Sequence, residues 1–288
     1  MKSETFLVGG VLMGFFIILN ANGQAPPTRP VGVTGRQAAR ELIEATLRDS
    51  VEVEKPGLQS THLQKTIDKV IALWPNNLEV TNAMTQAISH ATDGKDDHHA
   101  TELLIDALRE AKATLAFKPF IEAPLPEGFP EPTPVGEILI KQYPQYRLAR
   151  TQMAGAESSA FWTLFTHIKK KDIAMTAPVE MPYGVGDKDK LQAKAMAFLY
   201  RSPKQGKAGT DEKVEVIDVA PIMALSMGMR GEVNKTRLAE AKAHLEAWLN
   251  EHAREYEASG PLRVMGYNSP FVAAKQRFTE VEIPVRRK

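Results

Sequence analysis

Two stretches of the chain pass through the same order of elements, and that order limits the fold more than any other feature. In the first, residues 137–143 read as a strand, Pro144 breaks it, residues 146–153 read as a second strand, Gly155 follows, and a helix runs over about 157–170. In the second, residues 214–220 read as a strand, Pro221 breaks it, 222–229 is a strand, Gly231 follows, and a helix runs over about 235–258. Proline cannot donate to a ladder, so each one marks a break between strands. The proline-to-glycine spacing is 11 residues in one copy and 10 in the other. Two more strands follow each helix, over 173–181 and 194–200, then over 262–267 and 276–285. The matched order points to a duplication. Strands and helices that mix without strict alternation predict an α+β fold with a largely antiparallel sheet, covered by one helix from each copy.

Upstream the periodicity is helical. Thr34 is placed to cap a helix through about residue 48, with Ala38, Leu42 and Ala45 on one face. Thr61-His62-Leu63-Gln64 has capping-box spacing, and Leu63, Ile67, Val70 and Ile71 follow at helical intervals until Pro75. Asn77 can cap a third helix and Asp97 a fourth, whose stripe is Leu104, Ala107, Leu108, Ala111 and Leu115. Four short amphipathic helices read as a small all-α bundle without a catalytic signature. Pro119, Pro124, Pro126, Pro130, Pro132 and Pro134 then fall within 16 residues, which predicts an extended, semi-rigid spacer. The expected division is a helical domain over 24–118, a proline-rich linker over 119–134 and a second domain over 135–288.

Residues 6–19 form a 14-residue run without a charge, preceded by Lys2. A spanning helix needs about 20 apolar residues, whereas a secretory h-region needs roughly 7–15. Ala21-Asn22-Gly23 offers small residues where a signal peptidase reads. Residues 1–23 are therefore read as a signal peptide or an uncleaved N-terminal anchor. The protein is then exported, periplasmic or extracellular, or tethered to a membrane.

Charge is uneven. Residues 24–134 hold 11 basic and 16 acidic side chains, and residues 135–288 hold 24 and 18. The acidic helical part could dock a protein partner or be drawn to the basic part. The formal net charge of +1 argues against a nucleic-acid partner held by bulk electrostatics. The chain has no cysteine, which excludes disulfides, Cys-ligated zinc, iron–sulfur clusters, a thiol nucleophile and thioether-linked haem. No Gly-x-Ser-x-Gly elbow, His-Glu-x-x-His or phosphate loop is present, so no enzyme is read from the chain. Glu180, Glu215 and Glu282 lie on expected strands and could include a buried acid with a raised pKa. His98 and His99 point about 100° apart on a helix and read as a solvated helix start.

The C-terminal part resembles the SOUL haem-binding proteins. The resemblance rests on Phe161-Trp162-Thr163-Leu164-Phe165, on Asp172-Ile173-Ala174-Met175-Thr176-Ala177-Pro178-Val179, and on Ala197-Phe198-Leu199-Tyr200-Arg201-Ser202-Pro203. Gly266-Tyr267-Asn268-Ser269-Pro270-Phe271, Arg277 and Glu280-Val281-Glu282-Ile283 complete it. It spans nearly all of 135–285 and nothing upstream of Pro134. It implies a distorted eight-stranded antiparallel barrel with two flanking helices, built from two related halves. It also implies non-covalent binding of haem or a related tetrapyrrole in a shallow apolar site beside the first helix. The fold is similar to bacterial effector-binding domains, so the alternative is a non-haem small-molecule effector-binding or protein-interaction module. Two positions depart from the family. Gln142 stands where some members carry a histidine ligand, and Lys169-Lys170-Lys171-Asp172 replaces a loop containing glycine and asparagine.

Phe161, Leu164, Phe165 and Ile168 lie at i, i+3, i+4 and i+7 and form one apolar stripe, flanked by Trp162. Part of that stripe must cover the sheet. The ligand contacts expected from the resemblance are Trp162, Phe165, His167, Ile168, Lys170, Lys171 and Met175. His167 is the expected iron ligand because it lies on the family's ligand-facing helix, and the lysines would pair with propionates. Eight of the 11 methionines lie in this part, and Met223, Met227 and Met229 share one strand parity. Burying roughly 300–400 Å² of porphyrin at about 25 cal/mol/Å² gives on the order of 8–10 kcal/mol gross. Association costs subtract a large part, and each exposed ion pair returns only about 0–1 kcal/mol. The expected haem binding is weak and reversible, suited to carriage or buffering.

Overall fold

The computed structural model describes residues 32–51, 60–74, 77–93, 96–153, 156–186 and 190–288. The expected signal or anchor over 1–23 lies outside the described residues. Among those residues no helix is long and apolar enough to cross a membrane.

Among the described residues four helices come first: α1 (Gly32–Val51), α2 (Ser60–Leu73), α3 (Leu78–Asp93) and α4 (Asp97–Ala116). Ile43, Leu63, Ile67, Met84, Leu104 and Leu108 fill their shared core. α1 starts before Thr34, which therefore lies inside the helix and is not its cap. Asn77 does cap α3, its Oδ1 accepting the Val80 N–H at 3.1 Å. Its Nδ2 also donates to the Val135 carbonyl at 2.7 Å, so one buried amide ties the bundle to the sheet unit. Among the described residues three ion pairs join the same two parts: Arg36 to Glu137 at 3.2 Å, Arg237 to Glu79 at 2.6 Å, and Arg230 to Glu110 at 3.1 Å. Burial raises the Glu79 and Glu137 carboxyls above their ordinary range, with the partner arginines opposing. Asn77→Ala removes a cap worth about 1 kcal/mol and strands a buried carbonyl worth about 1 more. The denaturation midpoint is expected to fall by the corresponding amount.

The second part contains β1 (Ile138–Tyr143), β2 (Tyr146–Gln152), α5 (Glu157–Lys170), β3 (Val179–Val185), β4 (Leu191–Ala193) and β5 (Ala195–Leu199). It continues through β6 (Gly209–Asp211), β7 (Val214–Val219), β8 (Ile222–Arg230), α6 (Lys235–Glu251), β9 (Tyr256–Ala258), β10 (Arg263–Gly266) and β11 (Phe278–Arg287). The strands pair antiparallel in the order β1-β8-β11-β10-β3-β5-β2-β7-β6, with β4 on β3 and β9 on β11. The end strands β1 and β6 do not meet, so the α+β architecture holds a large open sheet and not the closed eight-stranded barrel expected. α6 stops at Glu251 and not near 258. There the chain turns and β9 pairs with β11. The strand expected over 173–181 begins at Val179, because Thr176 and Ala177 bond outside the ladder, to Leu199 and Pro124.

Strand alternation sends side chains to two covered faces. α6 packs on one half of the outer face, against Leu225, Met227, Met229, Val264, Val281 and Ile283. α5 packs on the other half, against Ala149, Met196, Phe198, Val214 and Val216. The opposite face is covered by the proline-rich segment, which lies on the sheet as a strap. Phe117, Ile121, Leu125 and Phe129 pack there, and Phe129 sets its edge against Tyr143 and Tyr146 at 5.0 and 5.2 Å. Main-chain bonds fasten it, from Glu127 N–H to the Arg201 carbonyl at 2.9 Å and from Gly136 N–H to the Gly228 carbonyl at 2.7 Å.

Under the strap lies a buried ionic cluster. Lys141 Nζ sits 2.7 and 2.9 Å from the two Glu280 oxygens, and Glu280 also accepts from Thr133 N–H, Ser226 Oγ and Tyr267 Oη. Arg263 pairs with Glu282 at 2.8 Å and Glu180 at 3.2 Å, with its guanidinium over the Tyr143 ring. Tyr143 donates to Glu282 and Tyr146 to Glu180. Burial and these carboxylates raise the pKa of all three tyrosines, so each phenol stays a donor. Burial also raises Glu282, against the pull of Arg263. Of the three strand glutamates singled out from sequence, Glu282 and Glu180 are buried or nearly so, while Glu215 is half-exposed in a pair with Arg150.

Candidate functional site

α5 buries Ala160, Leu164 and Ile168 against the sheet. The next residues around the helix, Phe161 and Phe165, are half-buried and stacked at 6.0 Å. Trp162 stands beyond them with 61% of its surface exposed. Both phenylalanine rings meet the indole nearly at right angles, at 5.7 and 5.6 Å. Such edge contacts fix the tilt of a large ring without covering it.

A hollow of about 580 Å³ opens beside this helix, between its outer face and the turn from β6 to β7. Trp162, Thr166, His167 and Lys170 form one wall, and Asp211 and Lys213 the other. Its size falls in the range of small-molecule sites, about 300–1,000 Å³. Of the seven residues expected to meet a ligand, three therefore line one hollow: Trp162, His167 and Lys170. Phe165 braces Trp162 from behind. Lys171 is exposed and reaches Asp211 at 3.2 Å. Ile168 is only 4% exposed and belongs to the core, and Met175 is half-buried against that same core. Asp211 and Lys213 were not singled out from the sequence. The only cue there is a Gly209-Thr210-Asp211-Glu212-Lys213 run suited to a hairpin turn.

His167, the expected iron ligand, is 6% exposed and has both ring nitrogens engaged. Nε2 lies 3.1 Å from Tyr200 Oη, and Nδ1 lies 3.5 Å from an Asp211 oxygen. Ligation from this ring requires one of those contacts to break. Burial pushes the imidazole below its ordinary value of 6.5, Asp211 opposes, and Lys171 and Lys170 add to the lowering. The folded state thus holds the neutral ring more firmly than the unfolded chain does. That contribution to stability is present above about pH 6.5 and is lost as pH falls through the folded value. An NMR titration is expected to show His167 protonating below the ordinary imidazole range, and lower still in Asp211→Asn.

Chemically the hollow offers a flat exposed indole, hydroxyls from Ser159, Thr163 and Thr166, and two lysine ammoniums, with Asp211 and Glu212 as opposing charges. The indole is a flat apolar surface on which a planar group can stack, and the two ammoniums can pair with acid groups.

Comparison with curated proteins gives no match. Among solved structures, the chain is similar to the C-terminal domain of EcmrR, at 15% identity and a TM-score of 0.40, over 53% of this chain and 98% of that one. It is similar to a hydrolase from Listeria innocua, at 13% identity and 0.40, over 54% and 94%. It is also similar to SAV2435 bound to tetraphenylphosphonium, at 13% identity and 0.34, over 52% and 94%. Likenesses this distant transfer no ligand and no reaction. The family comparison is specific: residues 135–284, just over half of the chain, match the model described as SOUL heme-binding protein. The chain belongs to the SOUL heme-binding protein family.

Proposed function

We propose that this protein binds haem or a related tetrapyrrole reversibly and without covalent attachment, in the hollow beside α5, and serves in carriage or buffering. The observation that carries the reading is the exposed, edge-braced Trp162 at the mouth of a ligand-sized hollow, in a chain of a haem-binding family. In this reading one macrocycle face stacks on the indole, and Lys170 and Lys213 meet the propionates. Iron would bring redox and ligand-binding chemistry to the site. The protein's own part is to hold and release the ring. His167 orients the helix through Tyr200 and Asp211, and the proposal does not depend on an iron–imidazole bond.

Loss of the indole removes a stacking surface worth about 1.4 kcal/mol, a ten-fold rise in Kd. Trp162→Ala is expected to show that weakening in a hemin titration with unchanged thermal unfolding. Equal affinity in the variant would move the ligand elsewhere.

The duplication belongs to the same proposal. It is supported by the pairing pattern, in which β1-β8-β11-β10 in one direction mirrors β7-β2-β5-β3 in the other, meeting at the β10–β3 pair. An exported or membrane-tethered location follows from the sequence of residues 1–23 and is tested by N-terminal sequencing of the mature protein.

A further inference from the structure

Five large apolar side chains are exposed among the described residues, and two of them share one corner. Phe271 is 97% exposed and Phe120 is 58% exposed. Phe120 sits on the strap, and Phe271 lies on the loop between β10 and β11. The two segments are bonded to each other: Asn268 Nδ2 donates to the Phe120 carbonyl at 2.7 Å, and Glu122 accepts from Ser269 N–H at 2.5 Å and Oγ at 2.9 Å. From the other side Arg277 donates to the Pro270 carbonyl at 2.6 Å and the Val272 carbonyl at 2.8 Å. The loop is braced on both flanks of Phe271, so the ring is presented to water by a fixed frame and not by a loose tail.

The charged side chains of residues 117–123 and 267–277 are mostly basic. Lys118 and Lys275 are exposed and lie on the same two segments, on the strap just before Phe120 and on the loop just after Phe271. Arg277 is held to the loop, and Arg230 is paired with Glu110. Glu122, the one acid in these two segments, accepts from Ser269 N–H and Oγ and stands against the three basic side chains. Two rings cover far less than the roughly 800 Å² per partner that a stable protein interface buries. Aromatic tips flanked by cations fit weak, reversible partition into an anionic lipid surface, where each lysine near the surface contributes about 1 kcal/mol, or about five-fold in affinity.

We propose that the Phe120/Phe271 corner is a peripheral membrane contact that dips its two rings into the interface of an anionic bilayer, with Lys118 and Lys275 on the headgroups. The idea is independent of the tetrapyrrole site.

The chain has no cysteine, so Phe271→Cys can carry a single environment-sensitive fluorophore in the full-length protein. The apolar run at 6–19 can itself enter lipid, so the local signal decides and not total vesicle binding. With phosphatidylglycerol-containing vesicles the label is expected to shift to the blue, and with phosphatidylcholine alone it is not. About 0.5 M salt is expected to reverse much of the shift. Lys275→Ala is expected to weaken it about five-fold. A label at Glu240→Cys, on α6 and away from the strap, is expected to stay in water. A label at 271 that remains water-like on protein-loaded anionic vesicles overturns the proposal. So does a shift that grows with protein concentration in the absence of lipid, which assigns the corner to a second copy of the chain.

Discussion

Glu280→Leu is expected to lower unfolding stability by about 3–5 kcal/mol, the cost of breaking a buried ion pair from one side. The carboxylate is fully buried and receives Lys141, Thr133 N–H, Ser226 and Tyr267. Removing it strands an ammonium and three further donors at once. Lys141→Met removes one donor and leaves Glu280 with the other three, so it is expected to cost less. The order of the two variants is thus fixed by the geometry. Urea unfolding with unchanged slope, and midpoints in the order wild type, Lys141→Met, Glu280→Leu, is the expected result. A Glu280→Leu variant within about 0.5 kcal/mol of wild type contradicts the cluster as described.

Gly228→Ala is expected to cost about 2–3 kcal/mol by overpacking and to loosen the strap. A Cβ at this position would lie 2.2 Å from the Thr133 carbonyl oxygen and 2.7 Å from that of Pro134, both main-chain atoms that cannot rotate away. The strap must move, and with it Thr133, whose N–H holds Glu280 at 2.6 Å and whose hydroxyl holds Ser226 at 2.9 Å. Limited proteolysis is expected to cut within 119–134 in this variant and not in wild type. Gly266→Ala is the control, because its nearest contact is the Val179 carbonyl at 3.9 Å. Equal protease resistance in both variants would mean that the strap does not rest on the sheet at Gly228.

The sheet and its helices were legible because proline, glycine and alternation are local signals. Pro144 and Pro221 do separate β1 from β2 and β7 from β8, and Met223, Met227 and Met229 do share one face, under α6. Closure of the sheet is a matter of which edges meet in space, and no local pattern carries it. The end of α6 was misplaced because Tyr256 continues the helical spacing of Trp248 and His252. The structure instead stacks His252 on Trp248 at 3.8 Å and turns the chain at that ring. The role of the prolines was the larger difference. Six prolines exclude a helix, but whether an extended segment floats or packs depends on its apolar residues. Ile121, Leu125 and Phe129 between those prolines pack onto the sheet. The alternating Glu280-Val281-Glu282-Ile283 run looks half-solvated, and the strap buries its acidic face.

In the site, the helix wheel puts Trp162 on the flank of the apolar stripe and the resemblance adds Lys170; both line the hollow. The partners of His167 were not legible, since Tyr200 and Asp211 come from β5's end and β6, more than 30 residues away in sequence. On the helical wheel His167 falls beside the Phe161, Leu164, Phe165 and Ile168 stripe. Only the fold shows both of its nitrogens engaged.

Titrating the full-length protein with hemin, following the Soret band and Trp fluorescence together, tests the central claim most directly. The account predicts saturable binding near the micromolar range, about −8 kcal/mol, with a broad Soret band and quenching that is lost in Trp162→Ala. Absence of a saturable Soret change up to tens of micromolar hemin, a range set by that same free energy, contradicts it.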